Sequence, residues 1–295
     1  MRKLSFWVTL ITVLSLSACG GDTGADGATG QAGATGEIGQ RGETGQAGAT
    51  GAAGTTACDN VGCEFVNKLI VKQIYNDVIN GNNIGSVDFI FHEVVRQESI
   101  DFYSTLITSN PEHVATVKHI VADGDYVAVH WHYSNMPEDE FTGNAKIDLY
   151  KLTEGQITEH KDFSMTYTAN TKSGNSVFSD LYDYETTFSN NDTAIEEANK
   201  TMVADFYVNA FNTQNVTLID ELVDENYLQH NPFVPDGRSG LRGYVSSGSA
   251  PSNIAIFVTL AEDDLVWTFR SDAQVVDLWR VDNNINKIVE HWDVF

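Results

Sequence analysis

Positive charge is scarce in this chain: 17 lysines and arginines face 41 aspartates and glutamates in 295 residues, a formal net charge of −24. So acidic a protein is a poor partner for nucleic acid or for anionic lipid head groups, and neither is expected to bind. Cysteine occurs only at positions 19, 58 and 63. No further cysteine or histidine stands near the last two, which excludes a zinc site there. Proline is rare, with five residues, and none falls between Gly21 and Thr56. Past the amino terminus no apolar run approaches the ~20 residues needed to cross a bilayer as a helix. Phosphate-cradling glycine loops, nucleophile elbows and metal-spaced histidine clusters are also missing, so no cofactor and no metal are expected.

The amino terminus has its own pattern. Arg2 and Lys3 precede an apolar run from Leu4 to Leu16, followed by Leu16-Ser17-Ala18-Cys19. A short basic end, a short apolar stretch and small residues before a cleavage point describe a signal peptide over residues 1–18. The Leu-Ser-Ala-Cys ending resembles a lipobox, which makes Cys19 the expected lipid-bearing first residue of the mature chain. Loss of Arg2 and Lys3 deepens the charge from −24 to −26. No aspartate follows Cys19 directly, so the expected destination is the outer membrane or cell surface, with the protein lipid-anchored rather than spanning.

From Gly21 to Gly54 glycine recurs at every third position. That period is the collagen signature, because only glycine fits at the axis of three wound chains. Without proline to preset the backbone, such a triple helix is marginal. Residues 19–57 are therefore expected to form a stalk that reaches ~110 Å at ~3.1 Å per residue when extended. Whether stalks trimerise stays open. Cys58 and Cys63, just beyond it, most simply pair as a small-loop disulfide in an oxidising compartment, with cross-chain pairing as the other option.

The remaining chain repeats itself. Asn67-Lys68, Val71 and Tyr75 recur as Asn199-Lys200, Val203 and Tyr207 at an offset of 132. Asp88 and Gln97 find Asp220 and Gln229 at the same offset, and Thr158-Glu159-His160-Lys161-Asp162 corresponds to Val289-Glu290-His291-Trp292-Asp293. A duplicated domain accounts for this, with copies over 58–185 and 186–295. Each copy opens with a helix, whose apolar stripe is Leu69, Ile70, Ile74, Tyr75, Val78 and Ile79 in the first. The second stripe is Met202, Val203, Phe206, Tyr207, Ala210 and Phe211, and Thr193 with Glu196 suggests a capping box at its start. Each copy then turns strand-like: His119–Val121, Asp125–Tyr133, Ile147–Leu152 and Ile157–Phe163 in one, and Ile254–Leu260, Leu265–Phe269, Gln274–Val281 and Lys287–Phe295 in the other. Helices followed by antiparallel strands predict two tandem α+β domains, each with helices on one face of a curved, mostly antiparallel sheet.

Tyr227-Leu228-Gln229-His230-Asn231-Pro232 with Val234-Pro235-Asp236-Gly237 is similar to a segment of SnoaL-like proteins, within the nuclear transport factor two-like superfamily. Asp277-Leu278-Trp279-Arg280-Val281 and Lys287 to Val294 resemble that family's closing strands, as Val117 to His130 resembles an earlier stretch. The resemblance runs from about residue 65 to the end. It implies cone-shaped domains with a helix-lined pocket, and two copies able to pair within one chain as a pseudo-dimer. Polyketide cyclases of that family close rings by a cofactor-free aldol reaction, with a carboxylate as acid/base.

Strand alternation puts Val289, His291 and Asp293 on one face and Glu290 and Trp292 on the other. By the resemblance Asp293 is the expected base, with His291 and His230 steadying a carbonyl or enolate oxygen. Tyr227, Gln229, Asn231 and Trp279 are the expected ligand contacts, joined in the first copy by His130, His160 and Asp162. Asn231-Pro232 equally suits a simple turn, and a buried His-Asp pair equally suits a satisfied core. Neither copy holds the whole set, since Val95-Arg96-Gln97-Glu98 lacks the His-Asn-Pro run and Phe269 stands where a second His130 would fall. Two functions are therefore expected to compete: display of a module that binds a small, mostly apolar or carbonyl-bearing ligand, and a cyclase or isomerase of the aldol type.

Overall fold

The computed structural model describes residues 61–165, 171–183, 193–272 and 275–294. The leader, Cys19, the glycine repeat and Cys58 lie outside the described residues. Cys63 is described and sits half-buried in the first turn of the first helix.

The amino-terminal half begins with α1 (Val61–Gln73), which continues as a π-helical stretch, Ile74–Asn80. A single turn, α2 (Val87–Ile90), and a longer helix, α3 (Glu93–Ser109), follow. Four strands come next: β1 (Val114–Asp123), β2 (Tyr126–Ser134), β3 (Asn144–Thr153) and β4 (Gln156–Met165), forming an antiparallel sheet in that order. The carboxy-terminal half has α4 (Thr193–Asn212), α5 (Val216–Leu222), β5 (Val223–Gln229) and α6 (Arg238–Ser246). Then come β6 (Ile256–Glu262), β7 (Leu265–Arg270), β8 (Val276–Asp282) and β9 (Lys287–Val294). Its sheet has the order β5-β9-β8-β7-β6, antiparallel except where β5 runs parallel to β9. The fold is α+β, as the order of elements predicts.

Alternation gives each sheet two apolar faces with different partners. On the helix side, Val127, Val129 and Trp131 pack with Val71, Ile74, Tyr75 and Val78; Val266, Trp279 and Val281 pack with Val203, Phe206 and Tyr207. On the other side, Ala128, Ile147, Leu149 and Phe163 share one cluster with Trp267, Phe269, Leu278 and Trp292, so the two sheets bury these faces against each other. Trp267→Ala should cost ~3–5 kcal/mol, as large-to-small core changes do. Because the cluster belongs to both halves, calorimetry should still show a single transition, and two separate transitions would contradict this packing.

The repeated Asn-Lys pair has a structural role at this junction. Glu64 Oε1 accepts the Gly124 N–H at 2.8 Å and Asn67 Nδ2 donates to Gly124 O at 3.2 Å, pinning the β1–β2 turn. Glu196 Oε1 accepts the Asp263 N–H at 2.9 Å and Asn199 Nδ2 donates to Asp263 O at 3.4 Å, pinning the β6–β7 turn. Glu196 thus holds a distant turn, where the sequence suggests a capping box. Lys68 then reaches across to Glu262, and Lys200 to Asp123 at 2.7 Å. Glu262 also accepts the Ala122 N–H at 2.9 Å, and Asp123 the Ala261 N–H at 3.0 Å. Each lysine thus meets an acidic residue of the other half, and that acidic residue in turn accepts a backbone N–H from the lysine's own half, so the contacts run both ways.

The halves differ at one edge. Phe91 makes an isolated parallel bridge to Ile157, the counterpart of Val223 pairing with Ile288. There the amino-terminal half turns straight into α3, whereas the carboxy-terminal half extends β5 and delivers the Gln229-His230-Asn231 run. Gln97, the offset partner of Gln229, consequently lies on a helix.

Candidate functional site

A cavity of about 600 Å³ opens between the helices and the sheet of the carboxy-terminal half. Its apolar wall includes Phe211, Phe233, Val234, Leu241 and Val275, with Tyr207 and Tyr244 adding rings that carry hydroxyls. The polar wall is Gln229, Asn231, Arg270, Asp277, His291 and Asp293. The alternation of β9 is as read: His291 and Asp293 face this hollow, and Glu290 and Trp292 face away.

Strand pairing assembles the polar row. Asp277 on β8 lies opposite Asp293 on β9, and Trp279 lies opposite His291. Trp279 stacks beneath His291, with ring centroids 3.9 Å apart, and its Nε1 donates to Thr268 Oγ1 at 3.0 Å. Gln229 ends β5, and its Oε1 accepts the backbone N–H groups of His230 at 3.0 Å and Asn231 at 2.9 Å. Those two donors fix the amide's orientation, so the same oxygen faces His291 Nδ1 at 3.1 Å and accepts its proton. His291 Nε2 lies 3.0 Å from Asp277 Oδ1. With Nδ1 already protonated, a proton must lie between Nε2 and the carboxylate, since two lone pairs would repel. Asp277, His291 and Asp293 offer ligating atoms all within 4.8 Å of one another, so a divalent cation could be held there only by displacing that proton.

Asp293 stands apart from this pair. Asn231 Nδ2 donates to its Oδ2, while Asn231 Oδ1 accepts the Phe233 N–H at 2.7 Å. The Asn-Pro turn and the grip on Asp293 are one device. Asp293 Oδ1 is buried and has no hydrogen-bond partner, as is Asp277 Oδ2. Burial raises the Asp293 carboxyl to about 6; the charge of His291 opposes the rise and that of Asp277 adds to it. A carboxyl poised near neutrality in a mostly apolar hollow is suited to taking up and returning a proton.

Several expected residues lie elsewhere. His230, expected beside the reacting carbonyl, is fully buried behind β9 and does not line the cavity. Its Nδ1 meets Ser176 O, its Nε2 lies 2.8 Å from Glu290 Oε1, and its ring stacks on Trp292 at 4.8 Å. Neighbours in an extended run point to opposite faces, so Gln229 and Asn231 reach the hollow and His230 cannot. Tyr227 and Trp279 are buried in the core behind the polar wall rather than lining the cavity. His130 faces the junction of the halves, its Nδ1 3.2 Å from that of His119, with Phe178 and Trp267 against its ring. Burial holds His130 well below the usual histidine range, and holds His119 down at about 3, so both stay neutral near pH 7.

His160 repeats the His291 arrangement without the space. Its Nε2 lies 2.9 Å from Asp148 Oδ1, matching His291 and Asp277. Here Tyr150 and Tyr103 stack on the ring at 4.7 and 5.9 Å, and Phe102 meets it edge-on at 5.2 Å. Tyr75 donates to Asp148 Oδ2 at 2.7 Å. Burial alone would raise Asp148, but the His160 bond and charge, Lys146 and the Tyr75 bond hold it below its ordinary value. Asp162, the counterpart of Asp293, lies exposed on β4, since no strand like β5 covers that edge. Neither His160 nor Asp162 therefore faces a hollow like that at His291.

Arg270 and Asp277 are site residues that the sequence alone does not single out. Asp277 had a signal, since it shares a strand face with Trp279 two residues on. Arg270 had none, because its place depends on pairing across three strands. Its guanidinium pairs with Asp272 through Nη2, while Nε is buried without a partner.

Comparison with known proteins gives a partial match. Residues 76–160 fit the family profile described as a SnoaL-like domain. Among solved structures, a protein of Jannaschia sp. CCS1 assigned as a SnoaL-like polyketide cyclase is 19% identical, over 36% of this chain and 90% of that one, with a TM-score of 0.30. An NTF2-like protein of unknown function from Mesorhizobium loti is 17% identical over 35% and 93%, with a TM-score of 0.29. TsrD of Streptomyces laurentii is 15% identical over 32% and 87%, with a TM-score of 0.27. No curated protein matches. Residues 76–160, from within the π-helical stretch into β4, form a SnoaL-like domain.

Proposed function

We propose that the chain is a lipid-anchored surface protein built from two copies of a SnoaL-like domain, of which the second binds a small, mostly apolar, carbonyl-bearing ligand. The cavity carries this reading: about 600 Å³, within the range of small-molecule sites, with aromatic walls and a few convergent polar groups. The first copy serves as a built-in partner, a role supported by the reciprocal lysine contacts and the shared core. Anchorage through Cys19, and a stalk that carries the pair outward, follow from the leader and the glycine period. No described helix is long and apolar enough to cross a membrane.

A second reading, proton transfer, is favoured by the unpartnered Asp293 Oδ1 and its carboxyl near 6. In that reading the Asp293 carboxylate takes a proton from the carbon beside a carbonyl, exchanges it with solvent, and delivers a deuteron back to the enolate carbon. Deuterium exchange at the α-carbon of 1-tetralone tests both. Wild type should bind the ketone and speed exchange in heavy water; Asp293→Asn should keep the binding and lose the acceleration by 10²-fold or more. Binding with equal exchange in both proteins leaves a non-catalytic module. Absence of ketone binding sinks the cavity reading itself.

A further inference from the structure

The two histidines expected to hold a ligand oxygen are both committed elsewhere. His230 lies behind the sheet, and both nitrogens of His291 are engaged by Gln229 and Asp277. An oxygen-bearing ligand in this hollow therefore needs another donor. Arg270 supplies one: it forms part of the cavity wall, is more than nine-tenths buried, and its Nε–H has no partner. We propose that Arg270 is the oxygen-anchoring residue of the cavity, and that the site selects uncharged ring ketones over carboxylates of the same shape. This rests on the carboxy-terminal cavity being the binding site.

Strand register sets the reach. Thr268 pairs with Asp277, and Asp277 with Asp293. Arg270 stands two residues beyond Thr268 on the same face, so its backbone lies two strand spacings and one two-residue step from that of Asp293. At ~4.8 Å between strands and ~3.4 Å per residue the separation is about 12 Å. Side chains leaning in from both ends leave room for a ring between them. Phe211, Phe233 and Tyr244 are placed to enclose it.

Charge decides which oxygen. Asp272 already balances the Arg270 guanidinium, so no net positive charge remains to attract an anion. Asp277 and Asp293 line the same hollow, and the whole chain carries −24. A ligand carboxylate would add a negative charge to a site that already has an excess. A carbonyl oxygen accepts from Nε–H without that repulsion and relieves a buried donor that otherwise stays unpaired.

Calorimetric titration of the full chain with three probes of one shape tests this: 1-tetralone, the oxygen-free hydrocarbon tetralin, and 1,2,3,4-tetrahydro-1-naphthoate. At pH 7.5 the ketone should bind at least tenfold more tightly than either of the others. In Arg270→Met the ketone should fall to within twofold of tetralin, while tetralin keeps its wild-type affinity. Arg270→Lys retains the charge without the Nε donor; it should lose most of the ketone's advantage, and it covers the case in which the methionine variant fails to fold. A ketone advantage that survives in Arg270→Lys or Arg270→Met, or tighter binding of the carboxylate, overturns the role of Arg270 and leaves the cavity as a binding site. Binding of none of the three overturns the cavity reading, and this inference with it.

Discussion

Asparagine at position 293 is expected to make the protein more stable than wild type at pH 7.5, and no more stable at pH 4. Burial holds the Asp293 carboxyl at about 6 in the folded chain, against an ordinary value of 3.8. Below pH ~4 the group is neutral in both states and costs nothing. Between ~4 and ~6 the unfolded chain releases its proton while the folded chain keeps it, so rising pH favours unfolding. Above ~6 the deficit is complete. A shift of about two units corresponds to ~3 kcal/mol, or roughly 5–10 °C in melting temperature for a protein of this size. Asparagine has nearly the same shape, and its side-chain oxygen can still accept from Asn231. Thermal melts of both proteins from pH 4 to 7.5 measure the difference. Equal or lower stability of the variant at pH 7.5 would mean that Asp293 is well solvated or well paired. Stability given up at one carboxylate fits the proposed acid/base role of Asp293.

The second large effect lies on the opposite face of the same strand. Glu290 is fully buried, 2.8 Å from His230 Nε2, and it also holds Arg280 and the backbone N–H groups of Leu181 at 2.9 Å and Tyr182 at 3.2 Å. It is the clasp that ties residues 176–182 across the carboxy-terminal half, helped by Trp292 Nε1, which donates to Ser179 O at 2.9 Å. Glu290→Ala leaves the His230 Nε2 and two buried backbone amides without their acceptor and removes one of three carboxylates around Arg280, which keeps Asp180 and Asp264, and should cost ~3–5 kcal/mol. Urea unfolding gives the loss. At low temperature, where the variant remains folded, ketone affinity should stay within twofold of wild type, because the cavity lies on the other side of β9. A variant that keeps its stability but loses affinity would return His230 and Glu290 to the ligand chemistry.

The sequence revealed the parts of this account that follow from local periodicity. Alternation along Val289–Val294 assigned His291 and Asp293 to one face and Glu290 and Trp292 to the other, as found. The 132-residue offset located Asn67-Lys68 and Asn199-Lys200, though not their purpose, which requires two turns and two acidic residues from the other half. What depended on pairing between distant strands stayed hidden. Val223-Asp224-Glu225-Asn226 is too polar to announce a strand, so β5, held by its parallel pairing with β9, is not legible in the sequence, and neither is the alternation that turns His230 away from the hollow. Arg270 enters the site only once β7, β8 and β9 are in register. In the amino-terminal half, Asp148 and His160 keep the pair of the second site, but Tyr75, Tyr103 and Tyr150 occupy the surrounding space, and no short motif signals that a pocket has been filled.

A carbon-13 titration of the aspartate carboxyls, with the Asp293 resonance assigned by its loss in Asp293→Asn, tests the desolvated acid directly. A midpoint near 6 is expected in the ligand-free protein, above the ordinary carboxyl range. A midpoint near 4 would place that carboxylate in water, and the hollow would no longer be the enclosed, poised site on which the proposed function stands.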